Sequence, residues 1–275
     1  MDTRPIGYLD SGLGGLTAVR AALKLLPNED VVYVGDTARM PYGPRPQAEV
    51  LQFTRQIIKF LVSQNVKAIV IACNTATAAA LPQMQAEFDI PIFGVISAGV
   101  AAAAKITRQQ KIGVIATEGT VKSNSYRDGL KKILPTAAIH QIAAPELVQL
   151  VEKNVTDSKQ QKQVIAEQLT GFKNEPLDTL ILGCTHFPLL APQIQAVIGP
   201  DVQLIDAGAA AVLEVQKFLN QADMRQVGSR PDDVHMQFYT TGEVSIFEQA
   251  ATHWLNRQNL QVKHLDLVAD QLQLG

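Results

Sequence analysis

The sequence contains little cysteine, no excess of either charge and no long apolar run. Only two of its 275 residues are cysteine, and the net charge is −2. Two distant cysteines are poor disulfide candidates, and no Cys-x-x-Cys pair, Cys/His cluster or His-Glu-x-x-His motif indicates a metal site. A nearly neutral chain lacks the basic field that holds nucleic acid. No apolar run reaches the ~20 residues of a membrane helix, so we expect neither a nucleic-acid partner nor a membrane partner.

The N-terminus does not show the pattern of a secretion signal. The first ten residues lack a basic segment followed by an apolar stretch, and they lead directly into a strand-like run. We therefore expect a cytoplasmic protein whose two cysteines stay reduced. The apolar fraction of 47% is ordinary for a globular protein, and the length allows two modest domains or one large one.

The two cysteines occupy matching places. Cys73 ends the run AIVIAC and Cys184 ends the run TLILGC, and both runs are typical of strands buried on both faces of a parallel sheet. Ligands of open α/β sheets bind at the carboxyl ends of the strands, so we expect both thiols in one site. The turn from strand to helix places each sulfur near backbone N–H groups, which favours the thiolate. A single such cysteine is as often an inert core residue, but a matched pair indicates one group that removes a proton and another that returns it.

Buried-strand patterns alternate with helical patterns along the chain. The predicted strands are 6–10, 31–36, 68–73, 91–96, 111–116, 137–143, 179–184, 202–206 and the run HMQFYTTG at 235–242. Helical spacing of apolar residues or a helix-like composition marks 46–65, 159–172 and 208–221. This alternation predicts parallel, right-handed β-α-β units and therefore an α/β fold.

The pattern repeats between the two halves of the chain. IGYLDSG at 6–12 resembles IGVIATEG at 112–119, and a cysteine strand follows each of them at a similar distance. We therefore predict two pseudo-symmetric, doubly wound domains with mostly parallel sheets and an active site in the cleft between them. The first domain is predicted to comprise residues 1–97 plus 208–275, and the second residues 98–207. A polar segment at 222–234 precedes the strand by which the tail returns to the first domain.

Further polar residues follow predicted strands. Asp10 and Ser11 open the glycine-rich turn DSGLGGL, which lets the backbone approach an anion closely but is not a nucleotide-binding motif. An aspartate before a helix is also a common N-cap. His186 lies two residues after Cys184 and can point into the same cleft from a turn, although a lone histidine is more often structural.

Three other segments carry residues whose role is less distinct. The loop GDTARMPYGPRP at 35–46 contains Asp36, Tyr42 and Gly43 at another strand end, although a rigid proline-rich turn has the same composition. By itself, Glu152 in ELVQLVEKN is typical of a solvated helix carboxylate. Trp254 is expected to pack within the C-terminal tail.

Four of these segments resemble the signature segments of the glutamate racemase family. They are DSGLGGL at 10–16, GDTARMPYG at 35–43, ACNTA at 72–76 and LGCTHFPLL at 182–190. The resemblance extends to about residue 265 and implies a racemase of two α/β domains that acts on glutamate without a cofactor or a metal. It further implies a homodimer that supplies D-glutamate for bacterial peptidoglycan. No long N-terminal extension of the kind linked to activation by a cell-wall precursor is visible, so we expect no such activation.

Carried over position by position, the resemblance implies a role for each candidate residue. Cys73 and Cys184 match the two cysteines that exchange the α-proton, with Cys184 acting on L-glutamate and Cys73 on D-glutamate. Asp10 matches the acid near the first thiol, and His186 the imidazole near the second. Asp36 and Glu152 match further acidic residues of the catalytic set. The residues that match substrate-binding positions are Asp10, Ser11, Tyr42, Gly43, Asn74, Thr75, Thr185 and His186.

Three alternatives stay open on the sequence. An aspartate or hydantoin racemase would share the two cysteines, although the TARMPYG loop and the CTHF segment favour glutamate. Two α/β lobes around a cleft also suit an amino-acid-binding module without catalytic activity, which the paired thiols disfavour. A thiol-redox protein is disfavoured because no Cys-x-x-Cys pair is present.

Overall fold

Two mostly parallel sheets organise the computed structural model, which describes residues 1–228 and 234–275. The strands in these ranges are β1 (Ile6–Asp10), β2 (Val31–Gly35), β3 (Ala68–Ile71), β4 (Ile92–Gly94), β5 (Lys111–Ala116), β6 (Ala138–Ala143), β7 (Thr179–Gly183), β8 (Gln203–Asp206), β9 (Met236–Thr240), β10 (Val262–Val268) and β11 (Gln271–Leu274). The helices are α1 (Leu16–Leu25), α2 (Gln47–Ser63), α3 (Asn74–Glu87), α4 (Val95–Ile106), α5 (Glu118–Lys122), α6 (Ser125–Ile133), α7 (Pro145–Glu152), α8 (Ser158–Gln168), α9 (Ala191–Ile198), α10 (Ala207–Gln221) and α11 (Val244–Leu255). Short 3₁₀ turns occupy Thr170–Phe172 and Phe187–Leu190.

The strand order repeats between the two sheets. Within the described residues, the first sheet runs β11-β10-β9-β2-β1-β3-β4 and the second runs β6-β5-β7-β8. All pairings are parallel except β10 with β11. The order β2-β1-β3-β4 is therefore reproduced as β6-β5-β7-β8, and β3 and β7, which lead into the two cysteines, occupy equivalent places. The predicted α/β class and the predicted internal symmetry are confirmed.

The central strands are buried along their whole length. Every residue of β1, β2, β3 and β7 is buried, because helices cover both faces of each sheet. In β1, Ile6 and Tyr8 join the core beneath α1 and α10, and Leu9 joins the core beneath α2 and α3. This alternation follows from the two-residue period of a strand. Continuous apolar runs such as those ending in Cys73 are the sequence pattern that two-sided burial produces.

The C-terminal hairpin was not predicted. β10 and β11 form the antiparallel edge of the first sheet, and most of their residues are exposed or half-buried. An exposed edge does not produce a continuous apolar run, so the pattern that located the central strands does not detect it.

The predicted helix at 159–172 ends at Gln168 and continues only as a 3₁₀ turn. Residues 229–233 of the predicted polar segment lie outside the described residues. None of the helices in the two described ranges combines the length and the apolar character needed to cross a bilayer.

Two helices lie between the sheets. α4 packs against α10, and between them they contact β3 and β4 of the first sheet and β7 and β8 of the second. We propose the two domains predicted from the sequence, residues 1–97 plus 208–275 and residues 98–207. Their boundaries fall in the first turns of α4 and α10, so that this helix pair joins the two units.

Candidate active site

One cavity of about 230 Å³ has both cysteines in its wall. Cys73 follows the end of β3 in the first sheet, and Cys184 follows the end of β7 in the second. The volume lies below the ~300–1,000 Å³ typical of pockets for drug-sized ligands, so the cavity suits a small metabolite. The candidate residues that line it are Ser11, Tyr42, Gly43, Cys73, Asn74, Thr75, Glu152, Cys184, Thr185 and His186. Asp10 and Asp36 are not in the wall.

Cys73 caps a helix with its sulfur. It occupies the N-cap of α3, and its Sγ accepts a hydrogen bond from the backbone N–H of Ala76 at 3.4 Å. The thiol also donates to Ser11 Oγ, with the two atoms 3.7 Å apart. Burial, and secondarily the charge of Asp10, raises the pKa of Cys73 to about 12. The helix N-terminus was predicted to favour the thiolate, but desolvation outweighs it and favours the neutral thiol.

Cys184 stands at the start of a row of three titratable groups. Its Sγ lies 3.7 Å from Nδ1 of His186, and Nε2 of the same ring lies 3.5 Å from Glu152 Oε1, without the alignment of a hydrogen bond. Burial raises the pKa of Cys184 and lowers that of His186 to about 4, so the imidazole is neutral at neutral pH. A neutral ring with its proton on Nε2 faces Glu152 with a donor and Cys184 with an acceptor.

Asp10 lies behind the cavity wall, fully buried. It accepts a hydrogen bond from the backbone N–H of Gly12 at 3.0 Å and one from Thr185 Oγ1 at 3.4 Å. It does not cap α1, which begins at Leu16 after Gly15 at the N-cap position. Burial raises the pKa of Asp10. Its carboxyl group therefore connects the turn after β1 to the residue that follows Cys184.

Asp36 is also buried behind the wall. It accepts hydrogen bonds from the hydroxyl of Tyr42 and from Thr241 Oγ1, the latter at 2.8 Å. The Nε atom of Arg39 lies 2.7 Å from Asp36 Oδ2, with the Asp36 side chain fully excluded from solvent. Asp36 thus holds Tyr42, and Tyr42 rather than Asp36 reaches the cavity.

The turn after β1 packs closely against the turn after β7. A Cβ atom at Gly14 would lie 2.1 Å from Thr185 Oγ1 and 2.8 Å from the ring of His186. The hydroxyl of Thr17 donates to the backbone oxygen of Thr185 at 3.0 Å. Only glycine permits this approach, which brings the first sheet into contact with the residues beside Cys184.

Some cavity residues were not among the sequence-predicted set. The polar ones include Thr117, Glu118 and Gln149. The Oγ1 atoms of Thr75 and Thr117 are 2.9 Å apart, so these hydroxyls form a hydrogen bond between the two units. The similarity of IGYLDSG to IGVIATEG aligns Thr117 with Ser11, and this is the signal that could have identified it.

Trp254 does more than pack within the tail. Its ring meets that of His186 edge-on, with the centroids 6.2 Å apart and the planes at 86°. The C-terminal helix α11 therefore contacts the imidazole beside Cys184. Among the described residues, no three His, Cys, Asp or Glu side chains converge in a way that could hold a metal ion.

Comparison with known proteins gives full-length relatives. The sequence profile of the family described as Asp/Glu/Hydantoin racemase matches residues 16–215. A glutamate racemase of Pediococcus pentosaceus is 49% identical over 268 residues, which cover 97% of this chain and 100% of that protein. The crystal structure of glutamate racemase isoform RacE1 from Bacillus anthracis has a TM-score of 0.91 at 39% identity, covering 97% of this chain and 99% of that one. Glutamate racemase from Francisella tularensis, in complex with D-glutamate, has a TM-score of 0.87 at 35% identity, covering 98% and 99%.

Proposed function

The chain belongs to the Asp/Glu/hydantoin racemase family, and from this membership we propose that it is a glutamate racemase, which interconverts L- and D-glutamate. The resemblance predicted from four sequence segments is confirmed by relatives that match along nearly the whole chain. The observation that carries the proposed mechanism is the presence of two cysteine thiols, one from each sheet, in the wall of one cavity.

The reaction is a two-base proton transfer without a cofactor. In the L-to-D direction the Cys184 thiolate removes the α-hydrogen as a proton, and the electron pair of the C–H bond stays on the substrate. The Cys73 thiol then gives its proton to the opposite face of the α-carbon and becomes the thiolate. The D-to-L direction reverses these roles, and proton exchange with the neighbouring polar groups or solvent restores the starting state.

The bound substrate helps to form the thiolate. Burial raises the pKa of both thiols and so favours their neutral form, and the thiolate therefore needs a stabilising charge in the cavity. The α-ammonium group of glutamate brings a positive charge into the same desolvated cavity, and a nearby cation favours the thiolate. The two thiols titrate as a coupled pair rather than independently.

Neighbouring groups move protons or hold the thiols in place. Nδ1 of His186 accepts from the Cys184 thiol in the tautomer that carries its proton on Nε2, and the negative charge of Glu152, 3.5 Å from Nε2, favours that tautomer. On the other side, Ser11 accepts from Cys73, and Asp10 fixes the turn that carries Ser11. Asp36 contributes indirectly, because its contact with the substrate region passes through Tyr42.

The substrate carboxylates are held by hydrogen-bond donors from the cavity wall. These donors stabilise the negative charge that develops when the α-proton leaves, because they are already oriented in a water-poor site. The proposed binding residues of the wall are Ser11, Tyr42, Gly43, Asn74, Thr75, Thr185 and His186, whereas Asp10, the eighth residue of the predicted set, lies behind the wall and supports Gly12 and Thr185 from there.

The test is incubation of the purified protein with L-glutamate in D₂O without an added cofactor. We expect the circular dichroism of glutamate to decay to zero while proton NMR shows deuterium entering the α-position. Cys73→Ala and Cys184→Ala are each expected to abolish racemisation, because either change removes one of the two bases. Normal turnover by either variant would remove the two-cysteine scheme. Exchange of the α-hydrogen of aspartate but not of glutamate would indicate an aspartate racemase. Binding of glutamate without exchange would indicate an amino-acid-binding module without catalytic activity.

The cellular setting follows from the activity. The product D-glutamate supplies peptidoglycan synthesis in the cytoplasm, where reducing conditions keep Cys73 and Cys184 as thiols. Expression of the gene should allow a bacterial strain that lacks its own glutamate racemase to grow without added D-glutamate. The resemblance to the family also supports a homodimer, which sedimentation equilibrium would distinguish from a monomer.

A further inference from the structure

Tyr126 links the two cysteine turns without entering the cavity. It lies in the first turn of α6, and its side chain is fully buried. Its hydroxyl donates a hydrogen bond of 2.6 Å to Oδ1 of Asn74, the residue directly after Cys73. Its ring packs on the residue directly before Cys184, because a Cβ atom at Gly183 would lie 3.1 Å from Cε2 of the ring.

The hydrogen bond from Tyr126 determines how the Asn74 amide is oriented. An asparagine amide has one acceptor oxygen and one NH₂ group with two donors, and the two ends exchange places when the group flips. Tyr126 occupies the oxygen, and within the described residues no hydrogen bond occupies Nδ2. Asn74 lines the cavity, so its two remaining donors are available to a carboxylate bound there.

We propose that Tyr126 is a positioning residue for substrate binding, which keeps the donors of Asn74 directed at a carboxylate of glutamate. This inference rests on the proposed function, because it takes glutamate as the ligand. Without the tyrosine hydroxyl the amide can flip, and its oxygen would then face the carboxylate and repel it.

The experiment measures steady-state kinetics of Tyr126→Phe in both directions. The ring stays, so only the hydrogen bond is lost. We expect KM to rise about five- to tenfold for both enantiomers, as for the loss of one oriented hydrogen bond. We expect kcat to stay within about twofold, because donors that hold the substrate and the transition state alike affect KM alone. An unchanged KM would overturn the inference.

A double-variant cycle separates positioning from a general effect on packing. Asn74→Ala removes the donors, and adding Tyr126→Phe to it should raise KM no further if Tyr126 acts only through Asn74. A further several-fold rise in the double variant would overturn the inference. Tyr8→Phe is the matched control, because Tyr8 is equally buried and its hydroxyl has no hydrogen-bond partner among the described residues. Its KM should equal that of the wild type.

Two further measurements keep the test decisive. If Tyr126→Phe does not fold, Asn74→Asp retains an acceptor for Tyr126 but lacks the Nδ2 donors, and wild-type affinity in that variant would overturn the inference. Calorimetric titration with glutamate gives the same comparison as a dissociation constant. If the wild type binds glutamate without racemising it, the proposed function fails while the titrations of Tyr126→Phe and Asn74→Ala still test the role of Tyr126.

Discussion

At the scale of single residues, Glu152 should set the acid side of the pH dependence. Its side chain lines the cavity and is 29% exposed, and burial together with the charge of Asp10 raises its pKa. The charge of ionised Glu152, 3.5 Å from Nε2 of His186, favours the ring proton on that atom, so activity should fall as the pH drops through this raised pKa. In Glu152→Gln the group no longer titrates. We expect kcat/KM to be about tenfold lower at neutral pH. The fall in activity on the acid side of the pH profile (its acid limb) should also move to lower pH. A profile of kcat/KM from about pH 5 to about pH 8 measures both effects.

The matched control for this prediction lies on the same helix. Glu146 is an exposed carboxylate in the first turn of α7, whereas Glu152 is its last residue. Glu146→Gln should leave both the rate and the acid limb unchanged. An acid limb in Glu152→Gln identical to that of the wild type would show that another group controls it.

The type of a residue and its position at the end of a strand were enough to predict most of the candidate site. They did not distinguish the residues that line the cavity from those buried behind them. Asp10 ends β1 and Asp36 directly follows β2, yet both point behind the wall. The direction in which each carboxylate points depends on the partners that distant parts of the fold supply, such as Thr185 for Asp10 and Thr241 for Asp36. Those partners lie in segments whose proximity becomes visible only in three dimensions.

At the scale of secondary-structure elements, burial decided what could be predicted. β1 and β5 coincide with their predicted ranges, and β3 and β7 end one or two residues before the predicted ends at Cys73 and Cys184. In both cases the chain turns to present the cysteine, and Cys73 becomes the cap of α3. The exposed hairpin of β10 and β11 lacks the apolar pattern of the central strands, so its position depends on pairing with β9, which local sequence does not encode.

The turn between β1 and α1 provides a test at this scale. Gly14→Ala places a methyl group 2.1 Å from Thr185 Oγ1, so the turn and the residues after Cys184 have to separate. A displacement of about 1 Å at a reacting group can cost about 100-fold in rate, and we expect a loss in kcat of that order. Gly208→Ala is the control, because its Cβ would have no neighbour closer than 3.3 Å and it lies within α10. Full activity in Gly14→Ala would show that this close approach does not position Cys184.

At the scale of the whole molecule, the chain leaves the first sheet through α4 and has to return to it after α10. A fully buried ion pair lies at the point of return, with Lys67 Nζ 2.5 Å from Glu29 Oε2. Lys67 also donates to the backbone oxygens of Asp2 and Met224, at 2.7 Å and 2.9 Å. Glu29 accepts from the backbone N–H of Gln226 at 2.8 Å. The pair therefore joins the N-terminus, the approach to β3 and the segment that follows α10.

This arrangement predicts that Lys67→Met destabilises the protein far more than the loss of a surface ion pair would. Removing one partner of a buried pair leaves the other charge without compensation, which costs about 3–5 kcal/mol in the free energy of unfolding. Arg55→Met breaks the Arg55–Glu87 pair, whose side chains are 29% and 40% exposed, and should cost less than about 1 kcal/mol. Urea unfolding of both variants measures the difference. Equal losses of unfolding free energy in the two variants would mean that water reaches Glu29 when Lys67 is replaced. The return of the chain would then be held by the packing of α10 against α1 and α4, and the ion pair would contribute little to it.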